Sequence, residues 1–161
     1  MAARSAGILL CRRAAGKILV LLVHSGGPFW SRRDLGAWSI PKGEFDADEQ
    51  PEEAARREFA EELGVKLDGP LLPLGEVTQK AGKRVVAFAV EGELDVGTIS
   101  SNTFEMEWPP RSGRRQSFPE IDRAEWFDLG VARQKIVPGQ IPFLDRLEAH
   151  FRDAPSDGCR S

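Results

Sequence analysis

The stretch Pro41–Val65, PKGEFDADEQPEEAARREFAEELGV, constrains this chain more than any other, because it sets acidic side chains at helical spacing just after a glycine-bearing turn. At about 100° of rotation per residue, Glu58, Glu61 and Glu62 stand at roughly 0°, 300° and 40°, so their carboxylates share one narrow face. Like charges at i,i+3 and i,i+4 cost a helix about 0.2–0.5 kcal/mol per pair. The wheel places no Lys or Arg on that face to offset them. A counter-charge from outside the chain is therefore expected, and a hard divalent cation with oxygen ligands supplies one; Mg²⁺ binds through few carboxylates and keeps several waters. Pro51 suits the first helical turn, where its missing N–H has no partner to lose. Gly43 permits a tight turn close to a metal or phosphate, Ala54, Ala55 and Phe59 offer small and apolar contacts to a sheet, and Gly64 reads as the C-terminal cap.

Gly43, five residues, Glu49, seven residues, Arg57, Glu58, Phe59, one residue, Glu61, Glu62, one residue, Gly64 and Val65 match the Nudix box from end to end. Phe59 stands where that family usually has an aliphatic residue. The chain thus resembles a Nudix hydrolase, and the resemblance covers nearly its whole length. It implies the Nudix fold, an α/β (α+β) sandwich of α/β/α layers with a mixed central sheet. It also implies Glu58, Glu61 and Glu62 as ligands of Mg²⁺, with Mn²⁺ as the alternative ion, and the carbonyl of Lys42 as a further ligand. Glu49 and Arg57 are expected to pair, which in the family orients the catalytic glutamate. The family draws its general base from a box glutamate or from a downstream acid, so Glu58 and Glu120 hold the main claims and Glu105 or Glu107 the remainder.

The opening Pro-Lys-Gly resembles diadenosine tetraphosphate hydrolases more than branches with Pro-Gly-Gly. Cleavage of a diphosphate linkage in a nucleoside diphosphate derivative follows, with dinucleoside polyphosphates first, then nucleoside triphosphates and sugar nucleotides. A catalytically silent nucleotide-binding Nudix module is the alternative from another class; such modules lose box glutamates, and this chain keeps them. Decapping of RNA 5′ ends would want a basic channel, for which only Arg111, Arg114 and Arg115 speak.

Along the chain, Ala6–Arg12 and Lys17–His24 read as strands joined by Ala14-Ala15-Gly16. Breakers make Ser25–Gly36 a loop that delivers Trp38, Ser39 and Ile40 as a short strand. Leu71–Gln79 and Arg84–Glu93 form a second hairpin, and Thr103–Trp108 alternates as a half-buried strand with Phe104, Met106 and Trp108 on one face. Pro109–Asp122 is expected as an exposed loop, Ala124–Asp128 as a strand, and Leu129–Ile136 and Pro142–Phe151 as helices. Lys42, Lys83 and Arg84 are candidates to meet substrate phosphates. Trp30 and Trp38 are candidates to stack on a base, with strand packing an equal reading for Trp38. Core packing is expected of Trp108 and Trp126, and a structural role of His24.

With 161 residues and 41% hydrophobic content, one domain over 1–152 is expected, followed by a disordered tail over 153–161. A formal charge of −3 argues against a nucleic-acid coat or a membrane-surface protein, which need a basic face. Cys11 and Cys159 give neither a disulfide framework nor metal-ligand spacing. The run Ile18–Val23 is far below the ~20 residues that span a bilayer, and Arg12 and Arg13 end the first apolar run too early for a signal peptide. The expectation is a cytoplasmic protein with a small-molecule nucleotide as partner, no membrane partner, nucleic acid disfavoured as a partner, and a homodimer left open.

Overall fold

The computed structural model describes residues 4–79, 82–99, 101 and 103–153. Strands β1 (Arg4–Ala14) and β2 (Lys17–Ser25) form the expected hairpin, longer by a few residues at the outer ends. Its turn places Ala15 at φ 52° and Gly16 at φ 80°, the left-handed pair that matches the twist of the strands it joins. Then come β3 (Trp38–Ser39), β4 (Lys42–Glu44) and helix α1 (Pro51–Leu63). β5 (Leu72–Thr78) and β6 (Arg84–Glu91) make the second hairpin. β7 (Thr103–Glu107), β8 (Arg115–Pro119) and β9 (Ile121–Asp128) follow, then α2 (Leu129–Lys135) and α3 (Ile141–Asp153). α3 thus takes in the first residue of the stretch expected as tail; 154–161, with Cys159, lies outside the described residues, as do Lys80 and Ala81 of the hairpin turn.

The central sheet runs β3-β2-β1-β6-β5, with β4 also paired to β1 and β9 to β2. It is mixed: β1 pairs antiparallel with β2 and β4 but parallel with β6. Strand β1 is apolar on both faces because both are covered. On one side Ala6, Ile8 and Leu10 meet Ala54, Ala55, Phe59 and Leu63 of α1. On the other, Leu9, Cys11, Val20 and Leu22 meet Ala132 of α2 and Phe143, Leu144 and Leu147 of α3. These are the layers of an α/β/α sandwich. Burial pushes the Cys11 thiol up to about 12, which keeps it protonated and unreactive.

Two expectations are corrected. Lys42–Glu44 is not only a turn: it pairs with Ser5–Gly7 of β1. Gly7 makes this approach possible, since a Cβ there would stand 2.6 Å from the Pro41 carbonyl. Pro109–Asp122 is not all loop either. Arg115–Pro119 pairs with Thr103–Glu107 in a two-stranded ribbon, closed by a turn with Arg111 at φ 63° and Gly113 at φ 75°. Phe104 and Met106 are half-buried, while nearly all of β8 is exposed, so β8 shows no apolar alternation to read.

Candidate functional site

α1 presents the box. Gln50 is its N-cap, Pro51 opens it, and Gly64 at φ 73° closes it by donating its N–H to the Ala60 carbonyl. The two ends fix the helical register of the glutamates. Gly43 of β4 lies under Glu58: a Cβ built at Gly43 would stand 1.9 Å from Glu58 Oε1. The glycine is thus required by contact, since any side chain would push the carboxylate away.

Arg57 organises the acids around it. Its Nε and Nη2 donate to the two oxygens of Glu49, each at 2.8 Å, a bidentate fork that holds the β4–α1 connection against the helix. Its Nη1 donates to Glu58 Oε2 at 2.6 Å and to Glu61 Oε2 at 3.0 Å. This corrects the reading that no cation relieves the acidic face. The guanidinium reaches around the helix from a position the wheel places off that face, because the wheel treats a long side chain as a point. Glu49 is held below the ordinary carboxylate range by this hydrogen bonding, and Arg57 is raised in turn.

Glu62 has no such partner and is half-buried. Burial first, and then the charge of Glu58, push its carboxyl up to about 8; Lys42 opposes the shift by its charge and by a backbone hydrogen bond, and Glu120 adds to it. Burial also lowers Lys42, against the pull of Glu62, and raises Glu58, against the pull of Arg57. Glu58, Glu62, Lys42 and Glu120 therefore feel one another across one corner of the sheet. Glu61 is more open than Glu58, with 47% against 14% of its side chain exposed.

Glu120 sits exposed at the β8–β9 corner, its carbonyl accepting the Gly26 N–H at 3.0 Å. A Cβ at Gly26 would stand 1.9 Å from the Pro119 carbonyl, so the corner rests directly on the loop after β2. Two further struts hold this region: His24, for which the sequence implies a structural role, and Gln140, which sequence reasoning missed. His24, fully buried, faces Asp122 Oδ1 at 2.8 Å with one ring nitrogen and donates to the Arg33 carbonyl at 2.7 Å with the other. Gln140, also fully buried, accepts the Ile40 N–H at 3.0 Å and donates to Ser39 and Gln79. It thereby fixes the strand that leads into Pro41-Lys42-Gly43. A polar residue between Pro138 and the apolar face of α3 was the only signal for it.

The substrate candidates divide. Trp38 is 1% exposed, packs edge-on against His24 and Phe127, and donates its Nε1–H to Asp34. It is a core residue, so the expectation that it stacks on a base is corrected: both flanks of the ring are taken. Trp30 is half-buried with the Arg33 guanidinium over its ring. Lys83 is exposed and close enough to act on the charge of Lys42. Arg84 is held by Glu76 at 2.9 Å, beside Arg4. Glu105 binds Arg115, and Glu107 accepts the Gly113 N–H, so both serve the ribbon.

Among the described residues, no three His, Cys, Asp or Glu groups converge as a closed metal cage. The donor set nonetheless fits a hard cation. Glu58 and Glu62 are oxygen donors beside each other in a partly dry place, and the upward shift of Glu62 marks negative charge with too little compensation. A divalent ion supplies that compensation through few protein ligands.

The likeness to known proteins agrees with this geometry. The sequence pattern of the NUDIX domain matches residues 1–147. The RNA pyrophosphohydrolase of Rhodospirillum rubrum is 29% identical over 141 residues, covering 82% of this chain and 83% of that protein. The RNA pyrophosphohydrolase of Bartonella henselae is 28% identical over 170 residues, covering 92% and 89%. A C. elegans Ap4A hydrolase binary complex shares the fold at a TM-score of 0.66 and 23% identity, over 93% of this chain and 99% of that one. With the family pattern matched over nearly the whole length and the glycines, glutamates and arginine of the box in place, the chain belongs to the NUDIX domain family and is a pyrophosphohydrolase acting on acid anhydrides of phosphorus-containing compounds.

Proposed function

We propose that this chain is a Mg²⁺-dependent Nudix hydrolase that cleaves the diphosphate linkage of a dinucleoside polyphosphate. The observation that carries the proposal is the partly dry pair Glu58 and Glu62, with Glu58 standing over Gly43 and the charge of Lys42 acting on Glu62. In this reading Glu58, Glu61, Glu62 and the Lys42 carbonyl would hold the metal. When bound, such an ion neutralises phosphate oxygens and lowers the pKa of a coordinated water.

The chain's own residues do the rest. Arg57, anchored bidentately on Glu49, keeps Glu58 over Gly43 at a fixed height. Lys42 places an ammonium beside Glu62, where it meets a phosphate oxygen. Glu120, exposed at the mouth and within electrostatic reach of Glu62, takes the proton from the attacking water. No covalent nucleophile is needed, because phosphoryl transfer depends mainly on positioning and charge stabilisation.

The Pro-Lys-Gly opening and the shared fold of the Ap4A hydrolase support the dinucleotide assignment. A second reading, removal of pyrophosphate from RNA 5′ ends, is favoured by the names of the curated relatives. Mg²⁺-dependent product release from diadenosine tetraphosphate, a nucleoside triphosphate, a sugar nucleotide and a 5′-triphosphorylated oligoribonucleotide separates them. The dinucleotide is expected to give the highest kcat/KM, and Glu62→Gln to lose about 10²-fold or more on it. No turnover of any dinucleotide would refute the assignment. Glu120→Gln is expected to lower kcat about 10²-fold; unchanged turnover would remove Glu120 from the mechanism.

A further inference from the structure

Strands β2 and β9 pair residue for residue from Leu19↔Asp128 to His24↔Arg123, and the next pair is Ser25↔Ile121. The register passes over Asp122, so β9 carries a bulge there. A bulge bends its strand and re-aims a side chain. This one stands two residues after Glu120, at the corner where β8 turns into β9, and the charge of Glu120 acts on Glu62 of the box.

His24 holds the bulge. One ring nitrogen meets Asp122 Oδ1 at 2.8 Å and the other donates to the Arg33 carbonyl at 2.7 Å. Arg123 comes only within 4.0 Å of the same carboxylate. The imidazole is fully buried and lies edge-on to buried Trp38, with centroids 5.1 Å apart, so its orientation is fixed by packing. A buried polar ring is costly unless its nitrogens are satisfied, and an apolar side chain would fill this space without that cost. What the ring adds is a tie between β9 and the loop after β2. Two residues further along β2, the Gly26 N–H donates to the Glu120 carbonyl at 3.0 Å. Ile121, between the two fastenings, is buried in the core that α1 covers.

We infer that His24 is a positioning residue for the reaction: through the bulge at Asp122 it fixes the β8–β9 corner, and with it the place of Glu120 beside the box. The inference deepens the reading above and rests on it only for what Glu120 does there. His24 itself is buried and touches no reacting atom; it acts through Asp122.

The test reads the corner first without chemistry and then with it. Amide hydrogen exchange at Gly26 reports the corner directly, since that N–H is held by the Glu120 carbonyl. The side-chain amide of His24→Gln reaches toward the Arg33 carbonyl, on the Nε2 side, and that of His24→Asn toward Asp122, on the Nδ1 side. In His24→Gln the Gly26 amide is expected to exchange about tenfold faster, while the Leu21 amide at the centre of β2 keeps its rate. His24→Asn is expected to stay within about threefold of wild type at both. Unchanged exchange in His24→Gln, or an equal rise at Gly26 and Leu21, overturns the inference, because His24 would then serve general stability alone. In the kinetic arm, kcat of His24→Gln is expected to fall about tenfold with KM within about twofold of wild type. His24→Asn recovers most of that loss, and His24→Gln added to Glu120→Gln costs nothing further. A loss by the same factor in both backgrounds also overturns the inference, since His24 would act apart from Glu120. Unchanged turnover in Glu120→Gln defeats the assignment of the base, and the exchange arm, which requires no turnover, still decides whether His24 holds the corner.

Discussion

The absence of one Cβ sets where Glu58 stands. Gly43→Ala would put a methyl 1.9 Å from Glu58 Oε1, closer than any real contact, so the carboxylate must swing away from the corner it shares with Glu62. We expect kcat/KM to fall about tenfold or more, as misplacement of about 1 Å costs up to 10²-fold; a circular dichroism spectrum matching wild type would assign the loss to the site. Glu62 gives a pH signature. Its carboxyl is raised from the ordinary 4.5 to about 8, by burial and then by Glu58. The folded state holds that proton more tightly than the unfolded chain does, so the contribution is full below 4.5 and is lost as pH rises through about 8. Metal-free protein should melt lower at about pH 9 than at about pH 6, and Glu62→Gln should shrink that difference. A thermal melt showing the same difference in both proteins would contradict it. The box acids were legible because their spacing is rigid, whereas the triple grip of Arg57 and the burial of Trp38 depend on side-chain reach and on a loop that folds back.

Among the elements, the hairpins and α1 were readable because each carries its own period. β4 was not: Lys42, Gly43 and Glu44 have little strand propensity, and their partner Gly7 lies 35 residues earlier. β8 was not, because with both faces in solvent it leaves no apolar alternation. Gln140 shows how distant segments hold such weak elements in place. Gln140→Ala would leave the buried Ile40 N–H without an acceptor, at a cost of about 1–3 kcal/mol. Denaturant unfolding should show that loss, and activity should drop with it, since the strand it steadies leads into Pro41-Lys42-Gly43. Stability equal to wild type would mean that water replaces the amide.

At the scale of the whole molecule, the two cores divide labour. Leu147 belongs to the face covered by α2 and α3, and Phe59 to the face covered by the box helix. Leu147→Ala is expected to cost about 2–5 kcal/mol with kcat/KM retained at 25 °C, while Phe59→Ala costs about 3–5 kcal/mol and lowers kcat/KM by tilting the glutamates. Equal kinetic damage from both would show that the faces are coupled. The sandwich could be anticipated from the order of elements, but the parallel pairing of β1 with β6 could not, since no local pattern announces a partner some 80 residues away.

That pairing has a practical consequence. The first described residues, Arg4 to Gly7, lie between β4 and β6, with the Arg4 guanidinium over the Phe45 ring beside the box. The strand that carries Lys42 and Gly43 is thus held in register by a segment about 37 positions earlier in the chain. Substitutions that break the Ser5–Gly7 pairing would therefore injure chemistry encoded far downstream of them.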